Sequence, residues 1–163
     1  MTSHSRMKSI MPGIPFQCGG FKILAFDVRH DAAQPVGFLI QHNETGKILF
    51  ITDSFYSPGR FSGLNNILIE ANYSQQIIDE KVEAGVSPEF LRNRVFKSHM
   101  SIETCKGVLA ANDLSAVTNI VLIHLSDNNS NADQFKKEVT AQTGKQVHIA
   151  DAGMIIDFNK QPF

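Results

Sequence analysis

Three polar side chains lie at or just beyond the ends of apolar, strand-like runs: His30, Asp53 and His124. Loops at strand ends are where a rigid scaffold presents chemical groups. Imidazole and carboxylate suit zinc or manganese, and a carboxylate with two oxygens can bridge a pair of cations. The pattern therefore indicates a candidate metal site. A histidine near a strand end and an aspartate within Thr-Asp-Ser are also ordinary turn residues, so spacing alone leaves both interpretations open.

The elements that must position these residues alternate between strands and helices. Strand-like runs cover residues 21–28, 36–40, 47–51, 66–69, 119–125, 147–150 and 154–158. Helices are predicted over residues 74–83, 87–96, after 101, and over 131–143. This alternation predicts an α/β layered domain. Residues 1–20 follow neither period and are interpreted as a flexible segment.

Composition narrows the class of protein. The chain has 163 residues, 42% hydrophobic and 19% charged, which fits one globular domain. With 15 basic and 16 acidic residues and no block of like charge, no large field attracts nucleic acid or membrane. Cys18 and Cys105 lack the spacing of a zinc site or disulfide framework, and no apolar run is long enough to cross a membrane. We expect a soluble, cytoplasmic protein with no membrane partner.

Five segments resemble, in the same order, motifs of the metallo-β-lactamase-fold nucleases and phosphodiesterases. Residues 30–40 resemble the HDxxxPxGF segment and residues 51–54 the TDxG turn. Residues 70–73 resemble the EANY strand end, residues 97–101 the HST helix start, and residues 122–126 the LTHLS strand end. The resemblance, over residues 13–158, is to the C-terminal half of that fold. It implies a half or partial αββα sandwich, a mixed sheet with helices on one side, with residues 21–158 as the domain and 159–163 as a tail.

The resemblance also implies roles for five residues. His30, Asp53 and His124 match metal ligands, with Asp53 bridging two zinc or manganese ions. His99 matches a position that, in the ribonuclease Z branch, contacts phosphate and assists proton transfer. Glu70 would orient the His99 ring without itself binding the metal. A solvent-exposed helix-start His99 and a solvated strand-end Glu70 remain alternatives.

Two departures from the family pattern are visible. Ser54-Phe55 stands where the family usually has Thr or Ser followed by Gly, and Ile102-Glu103 replaces the usual Asn. Neither position supplies a ligand atom. The first puts the tightness of the Asp53 turn in doubt, and the second the fit of substrate near His99.

The family's HxHxDH segment has no counterpart, since His4 is the only histidine before His30. One metal would retain His30 and Asp53, and the other Asp53 and His124. Two protein ligands are fewer than the three or four of a stable zinc site, so we expect weak or absent metal binding by the isolated chain. The sheet should also expose a face meant for burial. This predicts a homodimer or pairing with a complementary N-terminal half.

Two functions remain open from the sequence. The resemblance implies a metal-dependent hydrolase of phosphodiesters, acting on nucleic acid or cyclic nucleotides, in a truncated or split form. The alternative is a catalytically inactive remnant that acts as a binding or assembly module. A doubly wound nucleotide-binding domain is discounted, because no GxGxxG or P-loop follows any strand.

Overall fold

The computed structural model describes residues 9–57, 59–86 and 89–161. Strands come first along the chain and helices enter after the fifth strand. The order is β1 (Phe16–Cys18), β2 (Phe21–Asp27), β3 (Val36–His42), β4 (Gly46–Ile51), β5 (Asn66–Glu70), α1 (Gln75–Glu83), α2 (Glu89–Ser98), α3 (Ile102–Ala110), β6 (Asn119–Ile123), α4 (Ala132–Thr143) and β7 (Gln146–Ile149).

The strands form one mixed sheet in the order in which they occur in the sequence. Strands β1 to β4 pair antiparallel, and strands β4 to β7 pair parallel. The predicted α/β class and mixed sheet are therefore confirmed. Because β4, β5 and β6 are parallel neighbours, their carboxyl ends meet at one edge of the sheet. The residues directly after these three strands therefore lie close together once the sheet has formed.

One face of the sheet forms the core with α3 and α4. Alternate residues of the parallel strands point to this face, as the period of two requires, and pack against one stripe of each helix. The buried cluster includes Leu49, Ile51, Ile67, Ile69, Ile120, Leu122 and Val147 from the sheet, Ile102, Cys105, Val108 and Leu109 from α3, and Phe135 and Val139 from α4.

The other face carries a second apolar row that is only half-buried. Phe38 pairs with Phe50, and Phe50 pairs with Leu68, so these side chains lie side by side across three strands. Ile40 lies two residues further along β3, on the same face, and is half-buried as well. The mixed sheet thus has one face covered by helices and one apolar face with incomplete cover.

The structure differs from the predicted elements at both ends of the chain. β1 lies within residues 1–20, where no regular structure was predicted, because three residues are too few to show a period yet can pair with the edge of β2. Residues 154–158 form no strand: Ile155 is almost fully exposed, and an apolar run without a neighbouring strand has no ladder to join. Predictions for residues 1–8, 87–88 and 162–163 lie outside the described residues.

Helix α4 ends as its sequence predicts. Its N-cap Asn131 accepts a hydrogen bond from the Gln134 amide at 3.1 Å, and Gly144 stops it in the left-handed region at φ 65°.

Within the described segments, no helix combines the length and apolar character that a membrane crossing requires.

Two non-glycine residues of the described chain have positive φ: Asp53, at 49°, and His124, at 57°. Each follows a parallel strand, β4 and β6 respectively. A left-handed conformation costs a residue with a Cβ roughly 1–2 kcal/mol. Strain of this kind persists only where the surroundings enforce it, and it clusters at functional sites. The two strained positions coincide with two of the predicted metal ligands.

This strain predicts an unusual stability order. Asp53→Gly should have a larger free energy of unfolding than Asp53→Ala, by about 1 kcal/mol, because glycine adopts the left-handed region without steric cost. Urea denaturation of the metal-free chain measures the difference. In the matched control at exposed Lys137, inside α4, glycine should instead be less stable than alanine by about 1 kcal/mol. An alanine variant at position 53 as stable as the glycine variant contradicts the expectation.

Candidate metal centre

Five predicted site residues meet at the carboxyl edge of the sheet. Asp53 follows β4, Glu70 ends β5, and His124 follows β6, so the parallel ladder places these three as neighbours. His30 follows β2 and His99 follows α2. The ring centroids of His30 and His99 lie 5.9 Å apart, and those of His99 and His124 lie 5.0 Å apart. The structure therefore brings all five together.

Glu70 is the most buried member of this group, with 0% of its surface exposed. Its Oε2 accepts a hydrogen bond from the Ser54 amide at 2.9 Å. Its Oε1 lies 2.8 Å from His99 Nδ1 and 3.2 Å from His124 Nδ1. One carboxylate thus engages the Nδ1 atoms of two imidazoles, an arrangement that fixes ring orientation and leaves each Nε2 for a ligand.

Burial also changes the acidity of this carboxyl. Removal from water raises the pKa of Glu70 from 4.5 to about 7, and the charge of Asp53 acts in the same direction. The Ser54 amide and the His124 imidazole oppose the rise in this pKa, because both favour the ionised carboxylate. The pKa of about 7 already includes these opposing effects, so Glu70 is only partly ionised at neutral pH.

Asp53 lies closer to solvent than Glu70. Its Oδ2 accepts a hydrogen bond from Thr52 Oγ1 at 2.9 Å, and its Oδ1 lies 3.5 Å from His124 Nδ1. About half of its side chain is exposed. The carboxylate is thus held in place yet remains accessible to a cation.

The ring of His30 is held through Nδ1. This nitrogen lies 3.1 Å from the Ala32 amide nitrogen and 3.1 Å from Asp31 Oδ1. The amide contact suits an unprotonated Nδ1, and the carboxylate contact suits a protonated one. In both tautomers Nδ1 is engaged by the following turn, so Nε2 is the nitrogen left for a ligand.

Two sets of three side chains could each hold a cation: His30 with Asp53 and His99, and Glu70 with His99 and His124. Within each set, one donor atom per residue lies within 4.8 Å of the others. Nitrogen and carboxylate oxygen donors suit zinc, manganese and iron. His99 belongs to both sets, whereas the resemblance implied phosphate contact and proton transfer for it and no metal.

The position of His99 also differs from the predicted helix start. α2 continues to Ser98, and the amide of His99 donates to the Val95 carbonyl at 2.9 Å, so His99 caps the carboxyl end of α2. α3 begins only at Ile102, after the N-cap Ser101. The prediction was wrong here because the motif spans two helices.

The Asp53 turn is held more tightly than the departure at Ser54 predicted. Ser54 is fully buried, and its Oγ accepts from the Arg29 amide at 3.0 Å and donates to the Tyr56 carbonyl at 2.7 Å. The Phe55 amide donates to the Arg29 carbonyl at 2.9 Å. A serine in this place therefore ties the turn after β4 to the loop after β2, next to His30.

Asn72 supports the second strained turn in the same manner. Its Nδ2 donates to the His124 carbonyl at 2.8 Å, and its carbonyl accepts from the Ser126 amide at 2.9 Å. Sequence reasoning did not identify Asn72 or the contact between Glu70 and His124. Both contacts depend on the β5–β6 register, which no local pattern shows.

No protein-family model matches the chain. Exodeoxyribonuclease YycJ of Bacillus anthracis is 30% identical over 118 residues, which are 68% of this chain and 43% of that protein. The metallo-β-lactamase fold protein YhfI of Bacillus subtilis superimposes with a TM-score of 0.63 at 18% identity, over 89% of this chain and 53% of YhfI.

Two further solved structures share the fold. Igni18, a metallo hydrolase of Ignicoccus hospitalis, has a TM-score of 0.59 at 14% identity, over 90% of this chain and 58% of Igni18. CmlA, a diiron β-hydroxylase of Streptomyces venezuelae, has a TM-score of 0.52 at 12% identity, over 85% of this chain and 32% of CmlA. The chain thus spans between a third and three fifths of the length of these proteins. Its motifs, its mixed sheet and these likenesses place it among the metallo-β-lactamase-fold proteins, as a part of that fold.

Proposed function

We propose that this chain carries the metal-binding edge of a metal-dependent phosphodiester hydrolase of the nuclease type. The observation that carries the proposal is the buried Glu70 carboxylate, which engages the Nδ1 atoms of His99 and His124 at 2.8 and 3.2 Å. An oriented pair of imidazoles beside the Asp53 carboxylate is the donor chemistry of a metallohydrolase. The likeness to a protein named an exodeoxyribonuclease favours a nucleic acid substrate. The convergence of five such residues favours this function over a catalytically inactive binding module.

In this proposal His30, Asp53 and His124 hold the metal, and zinc and manganese are the ions their donors suit best. When bound, such ions lower the pKa of a water molecule and neutralise charge on a phosphate oxygen. His99 contacts the phosphate and moves a proton at Nε2, since its Nδ1 is held by Glu70. Glu70 is a positioning residue, because it acts through the two imidazoles.

The donor count explains why the isolated chain should bind metal weakly. Neither donor set contains all three proposed ligands: His30 and Asp53 lie in one, His124 lies in the other, and His99 completes both. Glu70 is already engaged by Ser54 and both imidazoles. With His99 kept for the phosphate, neither set retains three metal ligands, and a stable ion needs further ones.

We infer that a segment with the HxHxDH pattern supplies these ligands, within a longer chain or on a complementary partner. Support comes from the half-buried row of Phe38, Ile40, Phe50 and Leu68, the kind of sheet face that a second sheet covers. A homodimer through the same face is the competing arrangement.

Cys18 is exposed and Cys105 buried, both as free thiols, which fits a reducing cytoplasm.

Metal affinity tests the assignment of ligands. Calorimetric titration with Zn²⁺ or Mn²⁺ should show weak binding that Asp53→Ala removes and that Glu70→Gln weakens roughly 10–100-fold, the usual cost of losing the group behind a ligand. His42→Gln is the matched control, because His42 lies on β3 outside both donor sets. Equal affinity in all four proteins contradicts the assignment.

Reconstitution tests the activity. The chain mixed with an HxHxDH-bearing N-terminal half and Mn²⁺ or Zn²⁺ should hydrolyse bis-nitrophenyl phosphate faster than either part alone. His99→Asn should lower kcat by about 10²–10⁴, the range for loss of a general acid or base. No turnover above that of the separate parts would exclude a split enzyme.

A further inference from the structure

The segment directly after Asp53 exposes two consecutive aromatic side chains. Phe55 is 39% exposed and Tyr56 is 49% exposed. Neighbouring exposed aromatic side chains can form a contiguous apolar patch, and such patches are candidate interaction sites. Arg60, four residues further on, is exposed as well. Two aromatic rings and an arginine thus follow Asp53 closely in the chain.

This exposure belongs to an anchored segment. The buried Ser54 donates to the Tyr56 carbonyl, and the Phe55 amide donates to the Arg29 carbonyl. Both hydrogen bonds hold the backbone from which the rings project. The rings are therefore presented to solvent from a fixed backbone, as a stacking platform requires.

A cavity of about 430 Å³ lies between this segment and α3. Its volume falls within the range of small-molecule binding sites. One side is a stripe of α3 with spacing i, i+3, i+4, i+7, and a Cβ placed on Gly107 would meet nothing within 4 Å, so the stripe leaves open space above it. The lining residues are Tyr56, Ser57, Gly59, Arg60, Thr104, Gly107, Val108 and Ala111.

Ser57 gives the cavity an unsatisfied polar group. The residue is only 5% exposed, and its Oγ has no hydrogen-bond partner among the residues that the structure describes. Most buried side-chain hydroxyls have a partner, and each exception needs an explanation. The Oγ has almost no accessible surface of its own, so a ligand with a polar edge in the cavity would provide the missing partner once the Ser57 side chain turned toward it.

The charge of the cavity selects among such ligands. Arg60 lines it, and none of its lining residues is acidic. Arg60 has no ion pair with any side chain of residues 9–57, 59–86 and 92–161. These three groups suit a nucleotide. The guanidinium can pair with its phosphate, the aromatic ring can stack on the plane of its base, and the hydroxyl can hydrogen-bond the edge of the base.

The cavity is also close enough to serve the same substrate as the metal centre. Tyr56 is three residues from Asp53, and three residues of chain span at most about 11 Å. A strand with one phosphate at the Asp53 carboxylate therefore brings a neighbouring nucleotide within reach of Tyr56.

We propose that Tyr56, Ser57 and Arg60, with the cavity that they line, bind a nucleotide of a single-stranded nucleic acid, next to the phosphodiester held at the metal centre. Tyr56 stacks on the base, Ser57 hydrogen-bonds its edge, and Arg60 pairs with the adjoining phosphate. This inference rests on the proposed function and narrows its substrate to a polynucleotide strand, as opposed to a cyclic nucleotide.

Fluorescence anisotropy of a labelled single-stranded oligodeoxynucleotide of about 12 nucleotides, within the usual span of single-strand sites, tests the inference. The full chain is used with a chelator present, so that binding does not depend on a metal. Tyr56→Ala should raise Kd about 5- to 150-fold, which corresponds to 1–3 kcal/mol per stacked base. Tyr56→Phe should restore binding, and Arg60→Ala should reduce the slope of log affinity against log salt by about one.

Ser57→Ala separates a ligand-binding role from a structural one. Removing a buried hydroxyl without a partner should leave the melting temperature unchanged or raise it, while the affinity for the oligonucleotide falls. Phe21→Ala is the matched control, since Phe21 is 40% exposed at the opposite end of β2 from His30, and its Kd should equal that of the unaltered chain.

The inference is overturned if Tyr56→Ala and Ser57→Ala bind the strand as tightly as the unaltered chain, or if a duplex of equal length binds more tightly. Failure of the proposed function has a different signature. If oligonucleotide binding depends on Tyr56 but metal affinity is the same in the Asp53 and Glu70 variants as in the unaltered chain, the proposed hydrolase function is contradicted. The proposal that this segment binds a nucleic acid strand would still hold.

Discussion

Burial of the Glu70 carboxylate is the constraint on which the rest of the site depends. A carboxylate withdrawn from water is stable only when hydrogen-bond donors replace its hydration. Here the donors come from three other elements: the Ser54 amide after β4, His99 at the end of α2, and His124 after β6. Satisfying one buried group therefore fixes the relative positions of a turn, a helix end and a strand end.

The sheet makes this arrangement possible. Parallel pairing of β4, β5 and β6 aligns three carboxyl ends, and the chain must then turn sharply at two of them. Asp53 and His124 adopt left-handed conformations there, at a cost that the Ser54 and Asn72 hydrogen bonds help to offset. Buried polar side chains hold the two strained turns and so fix the positions of Asp53 and His124. The strands that lead into these turns form the core.

Sequence patterns predicted those parts of the molecule that depend on local regularity. Apolar runs with a polar residue at their ends predicted the strands and the positions of Asp53 and His124, because strand period and turn chemistry are local. The end of α2 and the start of α3 were predicted to within about two residues, but His99, expected at a helix start, lies at the carboxyl end of α2 because the motif at residues 97–101 joins two helices. β1 was missed and a strand over residues 154–158 was predicted wrongly, because pairing with a neighbour, not propensity, decides whether a short segment joins a sheet.

The contacts that give the site its chemistry were largely beyond the sequence. The link from Glu70 to His124 crosses from β5 to β6, and its existence depends on register. The cavity beside Tyr56 depends on how the segment after β4 packs on the small-residue stripe of α3. Motif order indicated which residues belong to the site, whereas hydrogen-bond partners and exposed rings emerged only from the assembled structure. The motifs and the structure together describe a cluster of histidines that the Glu70 carboxylate orients, with exposed aromatic side chains in the segment after β4.

The protonation sites of His99 and His124 test this description most directly. An ionised carboxylate only accepts hydrogen bonds, so well above pH 7, where Glu70 is mainly ionised, an imidazole held by it must carry its proton on Nδ1. Long-range ¹H–¹⁵N correlation spectra of the metal-free chain, labelled at histidine, report which nitrogen is protonated in the neutral ring. The account predicts the Nδ1–H form for both residues. Neutral rings protonated at Nε2, with Nδ1 bare, would contradict it.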